Sequence, residues 1–162
     1  MKLSNSEYLQ VCLPGDKSIA HRALILASCI KGEHQIDNFP KNEDVLSTLE
    51  IFKNYGFKYK FINSSIMIDS TNMSFKDSII DCNDSGTTAR LLIGYLAGLN
   101  INVQIHSASS LSQRPMRRIV RPLKNFGVNI ESNSFRLPIK LNKGNNLKPF
   151  NYVLDIPSAQ VK

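Results

Sequence analysis

The 162 residues suffice for one domain with its own core, and 42% hydrophobic against 20% charged side chains excludes a disordered chain. No apolar run approaches the roughly 18 residues that a membrane-crossing helix needs, and residues 1–7 carry no apolar segment of the kind a signal peptide has. The formal charge of +7, from 20 Lys+Arg and 13 Asp+Glu, suits a nucleic acid, a membrane surface or a small anionic substrate, and equally a Lys- and Asn-rich proteome, so it selects none of them.

Residues 1–12 are polar and then briefly apolar at Tyr8, Leu9 and Val11, which predicts a lead-in strand. From Lys17 the apolar positions Ile19, Ala23, Leu26 and Ile30 follow helical spacing, and Gly32 closes that helix. Residues 34–39 read as a short strand ended by Pro40. Asn42 or Asp44 then caps a second helix with Val45, Leu49 and Phe52 on its buried face and Gly56 just past its end. Strands at 57–62 and 66–69 follow, joined around Asn63-Ser64-Ser65. A third helix begins near Ser85-Gly86 and runs to Gly98, followed by a strand at 102–106. A fourth helix spans about 115–125 and ends at Gly127, and strands at 128–131 and 135–141 complete the series.

The order is helix–strand–helix–strand–strand, twice, which makes the fold class α+β. Asp16 and Asp84 lie 68 residues apart, as do Arg22 and Arg90, and Leu24 and Leu92. Internal repetition of this kind means that each unit buries its face against a copy. A third copy opens at 152–160, where Pro157-Ser158 would start another helix. The expectation is therefore a truncated chain.

Four helix starts carry the chemistry. A helix N-terminus presents free N–H groups and a partial positive charge, which favours anions. Pro14-Gly15-Asp16-Lys17-Ser18 adds an ammonium and a hydroxyl there, with Arg22 one turn later on Ser18's face. Asp84-Ser85-Gly86-Thr87-Thr88 lets a ligand approach the backbone closely. In Gln113-Arg114-Pro115-Met116-Arg117-Arg118, the residues Arg114, Arg117, Arg118 and Arg121 share one helical face and Met116, Ile119, Val120 and Leu123 the other. Pro122 is expected to distort that helix midway, and three of the arginines read as a solvated face, leaving Arg114 at the helix start. Pro157-Ser158-Ala159-Gln160 offers a hydroxyl and an amide suited to a hydroxylated ligand. His21, His34 and His106 show no metal-ligand spacing with one another or with Cys12, Cys29 and Cys82, so no metal site is expected. The three scattered cysteines fit reduced thiols in a cytosol, not a disulfide framework. No P-loop, G-x-S-x-G elbow or G-x-G-x-x-G fingerprint is present.

In order and together, these stretches resemble four motifs of the 5-enolpyruvylshikimate-3-phosphate synthase family: P-G-D-K-S-x-[SA]-H-R-A, N-S-G-T-[TA]-x-R, K-R-P-M-R-R and S-A-Q-x-K. The resemblance covers essentially the whole chain. It implies the enolpyruvyl transferase fold, an inverted α/β half-barrel of two similar domains with three such units each and the substrates between them. On that plan residues 1–12 lead toward the other domain, which is missing. Residues 13–162 form an incomplete domain: repeat 1 at about 13–70, repeat 2 at about 81–142, and the start of repeat 3 at about 151–162.

The resemblance also implies roles. Lys17, Ser18 and Arg22, with Ser158, Ala159 and Gln160, match residues that hold shikimate 3-phosphate. Lys17, Gly86, Arg114 and Gln160 match residues at phosphoenolpyruvate, and Lys17 is the catalytic candidate. The implied reaction transfers an enolpyruvyl group to the 5-hydroxyl of shikimate 3-phosphate and releases phosphate. It uses no cofactor or metal and involves neither nucleic acid nor membrane, in a cytoplasmic enzyme that is monomeric at full length. This chain departs from the motifs at Asp84 for Asn, at Gln113 for Lys, and at Ser107-Ala108 for Gly-Asp. A carboxylate at Asp84 suits an anion site only if it faces Arg90 or a backbone cap. The alternative enzyme is the related UDP-N-acetylglucosamine enolpyruvyltransferase, whose first motif is closer to Lys-Asn; Lys17-Ser18 with His21-Arg22 argues against it. A basic nucleic-acid-binding module using the Arg114 to Arg121 face is the remote reading. The acidic and further cationic groups of the family would lie in the missing part, so the 162 residues alone are expected to show no turnover.

Overall fold

The three longest helices each open on a side-chain cap. The Asp16 carboxylate accepts from the Ile19 amide and starts α1 (Lys17–Cys29). The Asn42 side chain, not Asp44, accepts from Val45 N and starts α2 (Glu43–Asn54). Ser85 Oγ accepts from Thr88 N at the start of α3 (Gly86–Gly98). Such caps satisfy amides that have no partner within the helix. These elements come from a computed structural model that describes residues 13–149, 151–154 and 157–161; the lead-in strand expected in residues 1–12 lies outside them.

After α1 the chain forms β1 (Glu33–Ile36), and after α2 the hairpin β2 (Lys58–Ile62) and β3 (Ser65–Asp69). These three strands make an antiparallel sheet in the order β1-β3-β2. Beyond α3 come β5 (Val103–His106), the single turn α4 (Ser109–Ser112), α5 (Arg117–Phe126), β6 (Ile130–Asn133) and β7 (Arg136–Leu141), with β4 (Ser78–Asp81) preceding α3. The second sheet has the order β4-β5-β7-β6. Its β5-β7-β6 part repeats the first sheet, with the last strand of the unit in the middle. β4 joins parallel to β5, through Ser78 to Val103 and Asp81 to His106. Sequence patterning missed β4 and α4.

The repeat reaches the side chains. Arg22 Nη1 donates to the Ser18 carbonyl at 2.9 Å, and Arg90 Nη1 donates to the Gly86 carbonyl at 3.0 Å, the same bond one unit later. Leu24 and Leu92 are both fully buried. The cap does not follow the same register: it falls on Ser85, one residue after the Asp84 that aligns with Asp16.

The α1, α2 and α3 helices pack on one another, with Leu24, Ala27, Val45, Leu49, Phe52, Leu92, Ile93 and Leu96 in the shared core. The buried face of α1 is Ala20, His21, Leu24 and Ala27, not the stripe that helical spacing singled out. Ile19, Leu26 and Ile30 of that stripe are 69%, 65% and 63% exposed. The buried side of α1 contains a histidine and two alanines, so hydrophobicity alone points to the wrong face. Helix α5 continues through Pro122, which stands beyond the first turn and leaves the Arg118 carbonyl without its helical donor. Met116, Ile119 and Val120 anchor that helix in the core, and Gly127 ends it in the left-handed region at φ 96°.

Candidate functional site

The helix starts converge on the short segment 157–161. Arg22 Nη2, on α1, donates to the Ala159 carbonyl at 3.1 Å, and Gln160 Nε2 donates to Thr87 Oγ1, on α3, at 3.1 Å. The segment therefore bridges the second turn of α1 and the first turn of α3, helices whose starts lie 69 residues apart in sequence. On one side of it Ser18, Ile19, Arg22, Ser158, Ala159 and Gln160 line a cleft of about 720 Å³. On the other a cleft of about 670 Å³ is lined by Ser158 and Gln160 again, with Arg90, Arg114, Arg118 and Tyr152 among its walls. Ser158 and Gln160 thus face both spaces.

Arginines dominate the second cleft. Arg114 is not on the α5 helix with Arg117, Arg118 and Arg121, as spacing suggested. It sits in the turn between α4 and α5, its amide bonded to the Leu111 carbonyl, yet all four side chains reach the same cleft. Among the described residues the ion pairs are Lys17–Asp44, Lys53–Glu50 and Lys143–Asp77, and none of them neutralises this cleft. Burial and then the Arg114 and Arg118 guanidiniums push the Arg90 pKa down. Like charges gathered with no carboxylate among the described lining residues favour binding of a multiply charged anion. Gly86 opens α3 beside them: a Cβ there would stand 2.7 Å from Arg90 Nη1 and 3.4 Å from Leu111 Cδ1.

Lys17 stands at the first position of α1, and its Nζ donates to Asp44 Oδ2 at 2.7 Å. The pair is partly exposed, 46% and 32% at the two side chains. Asp44 comes from the first turn of α2, so the ammonium is held by a neighbouring helix. Motif reading did not select Asp44 as a site residue; it stands in no motif, and only the crossing of α1 and α2 brings it to Lys17. Asp84 faces neither Arg90 nor a backbone cap. Its carboxylate accepts from the Ser110 hydroxyl of α4, which engages the negative charge.

The family model described as EPSP synthase (3-phosphoshikimate 1-carboxyvinyltransferase) matches residues 8–162. The chain belongs to the EPSP synthase family. A 3-phosphoshikimate 1-carboxyvinyltransferase of Clostridium tetani is 43% identical over 153 residues, which are 93% of this chain and 35% of that protein. One of Streptococcus pyogenes serotype M4 is 41% identical across the whole of this chain and 40% of its own length. A solved EPSP synthase from Acinetobacter baumannii superposes with a TM-score of 0.84 at 31% identity, over 93% of this chain and 36% of that one. The chain thus spans between a third and two fifths of the length of these EPSP synthase relatives.

Of the residues that the motifs single out, Ser18, Arg22, Ser158, Ala159 and Gln160 line one cleft, and Arg114 lines the other with Ser158 and Gln160. Lys17 and Gly86 lie at the two helix starts beside them. Among the described residues no group of three or more His, Cys, Asp or Glu is placed to hold a metal ion, and no helix is long and apolar enough to cross a membrane.

Proposed function

We propose that this chain supplies part of the substrate site of an enzyme that transfers the enolpyruvyl group of phosphoenolpyruvate to the 5-hydroxyl of shikimate 3-phosphate. The observation that carries the proposal is the junction at 157–161, where Arg22 reaches Ala159 and Gln160 reaches Thr87 between two clefts rich in cations and hydroxyls. Two anionic substrates that must meet need two adjoining positive spaces, and a shared wall holds their reacting ends together.

On this reading Lys17, Ser18, Arg22, Ser158, Ala159 and Gln160 take shikimate 3-phosphate. Lys17, Gly86, Arg114 and Gln160 take phosphoenolpyruvate. Arginine and lysine contacts to phosphate and carboxylate are each worth roughly 1.5–3 kcal/mol. The 5-hydroxyl adds to C2 of phosphoenolpyruvate as C3 gains a proton, giving a tetrahedral intermediate. Loss of a proton from C3 then re-forms the double bond as the C2–O bond to phosphate breaks. Lys17 leaves Asp44 for the substrates and stabilises charge at the reacting end. The enzyme works on small molecules in the cytoplasm as a monomer and uses no cofactor.

Thermal protection separates this proposal from the related sugar-nucleotide enzyme. Shikimate 3-phosphate should raise the Tm of the full-length protein, and UDP-N-acetylglucosamine should not. Protection by the UDP-sugar alone would overturn the assignment.

A further inference from the structure

Beneath the two helix starts lies a line of buried polar side chains that no substrate contact explains. His21, Thr48 and Thr88 are fully buried and Ser85 nearly so. His21 Nδ1 lies 2.8 Å from Thr48 Oγ1, Thr48 Oγ1 lies 2.7 Å from Thr88 Oγ1, and Thr88 Oγ1 lies 2.6 Å from Ser85 Oγ. Thr88 Oγ1 also lies 3.3 Å from the Asp44 carbonyl. One line of hydrogen bonds therefore crosses α1, α2 and α3.

Its ends are tied to the site. His21 is one helical turn after Lys17, and Thr48 is one turn after Asp44, whose carboxylate holds Lys17 Nζ. A ring closes through Lys17, Asp44, Thr48 and His21. At the other end Ser85 caps α3 and adjoins Gly86.

The direction of the bonds follows from the partners available. His21 Nε2 is buried with no hydrogen-bond partner among the described residues. A buried N–H left without an acceptor is rarer than an acceptor left without a donor. The proton therefore belongs on Nδ1 and is given to Thr48. Thr48 then donates to Thr88, and Thr88 donates to Ser85 Oγ, its shorter contact, with the Asp44 carbonyl next to the same hydroxyl. Thr48 and Thr88 are then each used as donor and acceptor, and Ser85 Oγ accepts from the Thr88 hydroxyl and amide. Burial favours the neutral ring, as do the Lys17 and Arg22 charges, against the opposite pull of Asp44.

We propose that His21, as the Nδ1–H tautomer, with Thr48 and Thr88, are positioning residues that set the Lys17 start of α1 against the Gly86 start of α3. The proposal rests on the functional reading above. On that reading phosphoenolpyruvate touches both helix starts, whereas shikimate 3-phosphate draws on α1 and the 157–161 segment. Breaking the line should weaken the first substrate selectively.

The test uses the full-length protein. Activity of the unmodified enzyme with the two substrates decides the functional reading by itself. Thr48→Val keeps the shape and removes the hydroxyl, and it should raise KM for phosphoenolpyruvate roughly fivefold to tenfold with KM for shikimate 3-phosphate within about twofold. Thr48→Ser keeps the hydroxyl and loses a methyl, and it should stay near the unmodified values. Equal effects of the two variants, equal effects on both substrates, or no effect of Thr48→Val would each overturn the proposal. Nitrogen-15 NMR of the unmodified protein needs no variant to fold: a protonated Nδ1 and a bare Nε2 at His21 are expected, and the reverse tautomer would overturn it.

Discussion

Under the proposed function both substrates would meet at Lys17, whose ammonium is held by Asp44 in this structure. Lys17→Ala in the full-length enzyme should lower kcat/KM by roughly 10- to 150-fold, the equivalent of one charge-assisted bond. Asp44→Asn should reduce kcat/KM while leaving stability within about 1 kcal/mol, because a partly exposed ion pair contributes little to folding. Gly86→Ala presents a different balance. The nearest obstacle to the new methyl is the end of the Arg90 side chain, which can swing, so the variant should fold. The displaced guanidinium should raise KM for phosphoenolpyruvate several-fold, as steady-state kinetics would show. His21 gives the molecule a pH dependence of defined sign. Its folded-state pKa falls from 6.5 to about 4, mainly through burial, so between these values the unfolded chain binds the extra proton. Stability contributed by the neutral ring is complete above pH 6.5 and is lost as pH falls toward 4, at no more than about 1.4 kcal/mol per pH unit. Denaturant melts from pH 7 to 4 would measure that slope, and His21→Asn should flatten it.

At the scale of elements, the helices are defined by their ends. Caps at Asp16, Asn42 and Ser85 and the left-handed Gly127 are local features. Gly127 combines φ 96° with backbone crowding: a Cβ there would overlap the Asn146 carbonyl oxygen, at 1.8 Å. Gly127→Ala should therefore destabilise the chain by more than about 1 kcal/mol, measured by urea denaturation, and shift the loop after β7. The α1 helix illustrates what periodicity leaves open. Its apolar residues lie on two sides, and the side that packs carries His21, whose cost of burial is offset by Thr48. Nothing in residues 17–29 alone distinguishes a satisfied buried histidine from an exposed one. Helix α5 was legible from its alternation of arginine and apolar residues, but the place of Arg114 outside it depends on the α4 turn, which four residues do not announce.

For the whole molecule, the two sheets with matching strand order show that the 68-residue sequence offset is a structural repeat. The chain spans between a third and two fifths of the length of its relatives, and the proposed mechanism needs groups beyond the four helix starts. The 162 residues assayed alone should form no product from the two substrates. Product formation would show that this part is catalytically self-sufficient.

The amino-acid sequence by itself determined the order and type of most elements and the helix starts at Lys17 and Gly86, because these depend on neighbours within about four residues, whereas Arg114 and residues 157–161 lie in turns and not at helix starts. Only the tertiary structure decided which face of α1 is buried, that β4 joins the second sheet, that Asp44 holds Lys17, and that Asp84 meets Ser110. The last three bring together residues 25 to 27 apart in the chain, and Arg22 meets Ala159 across 137. Such pairings are settled by how whole helices and sheets bury their surfaces together, and no local pattern encodes them.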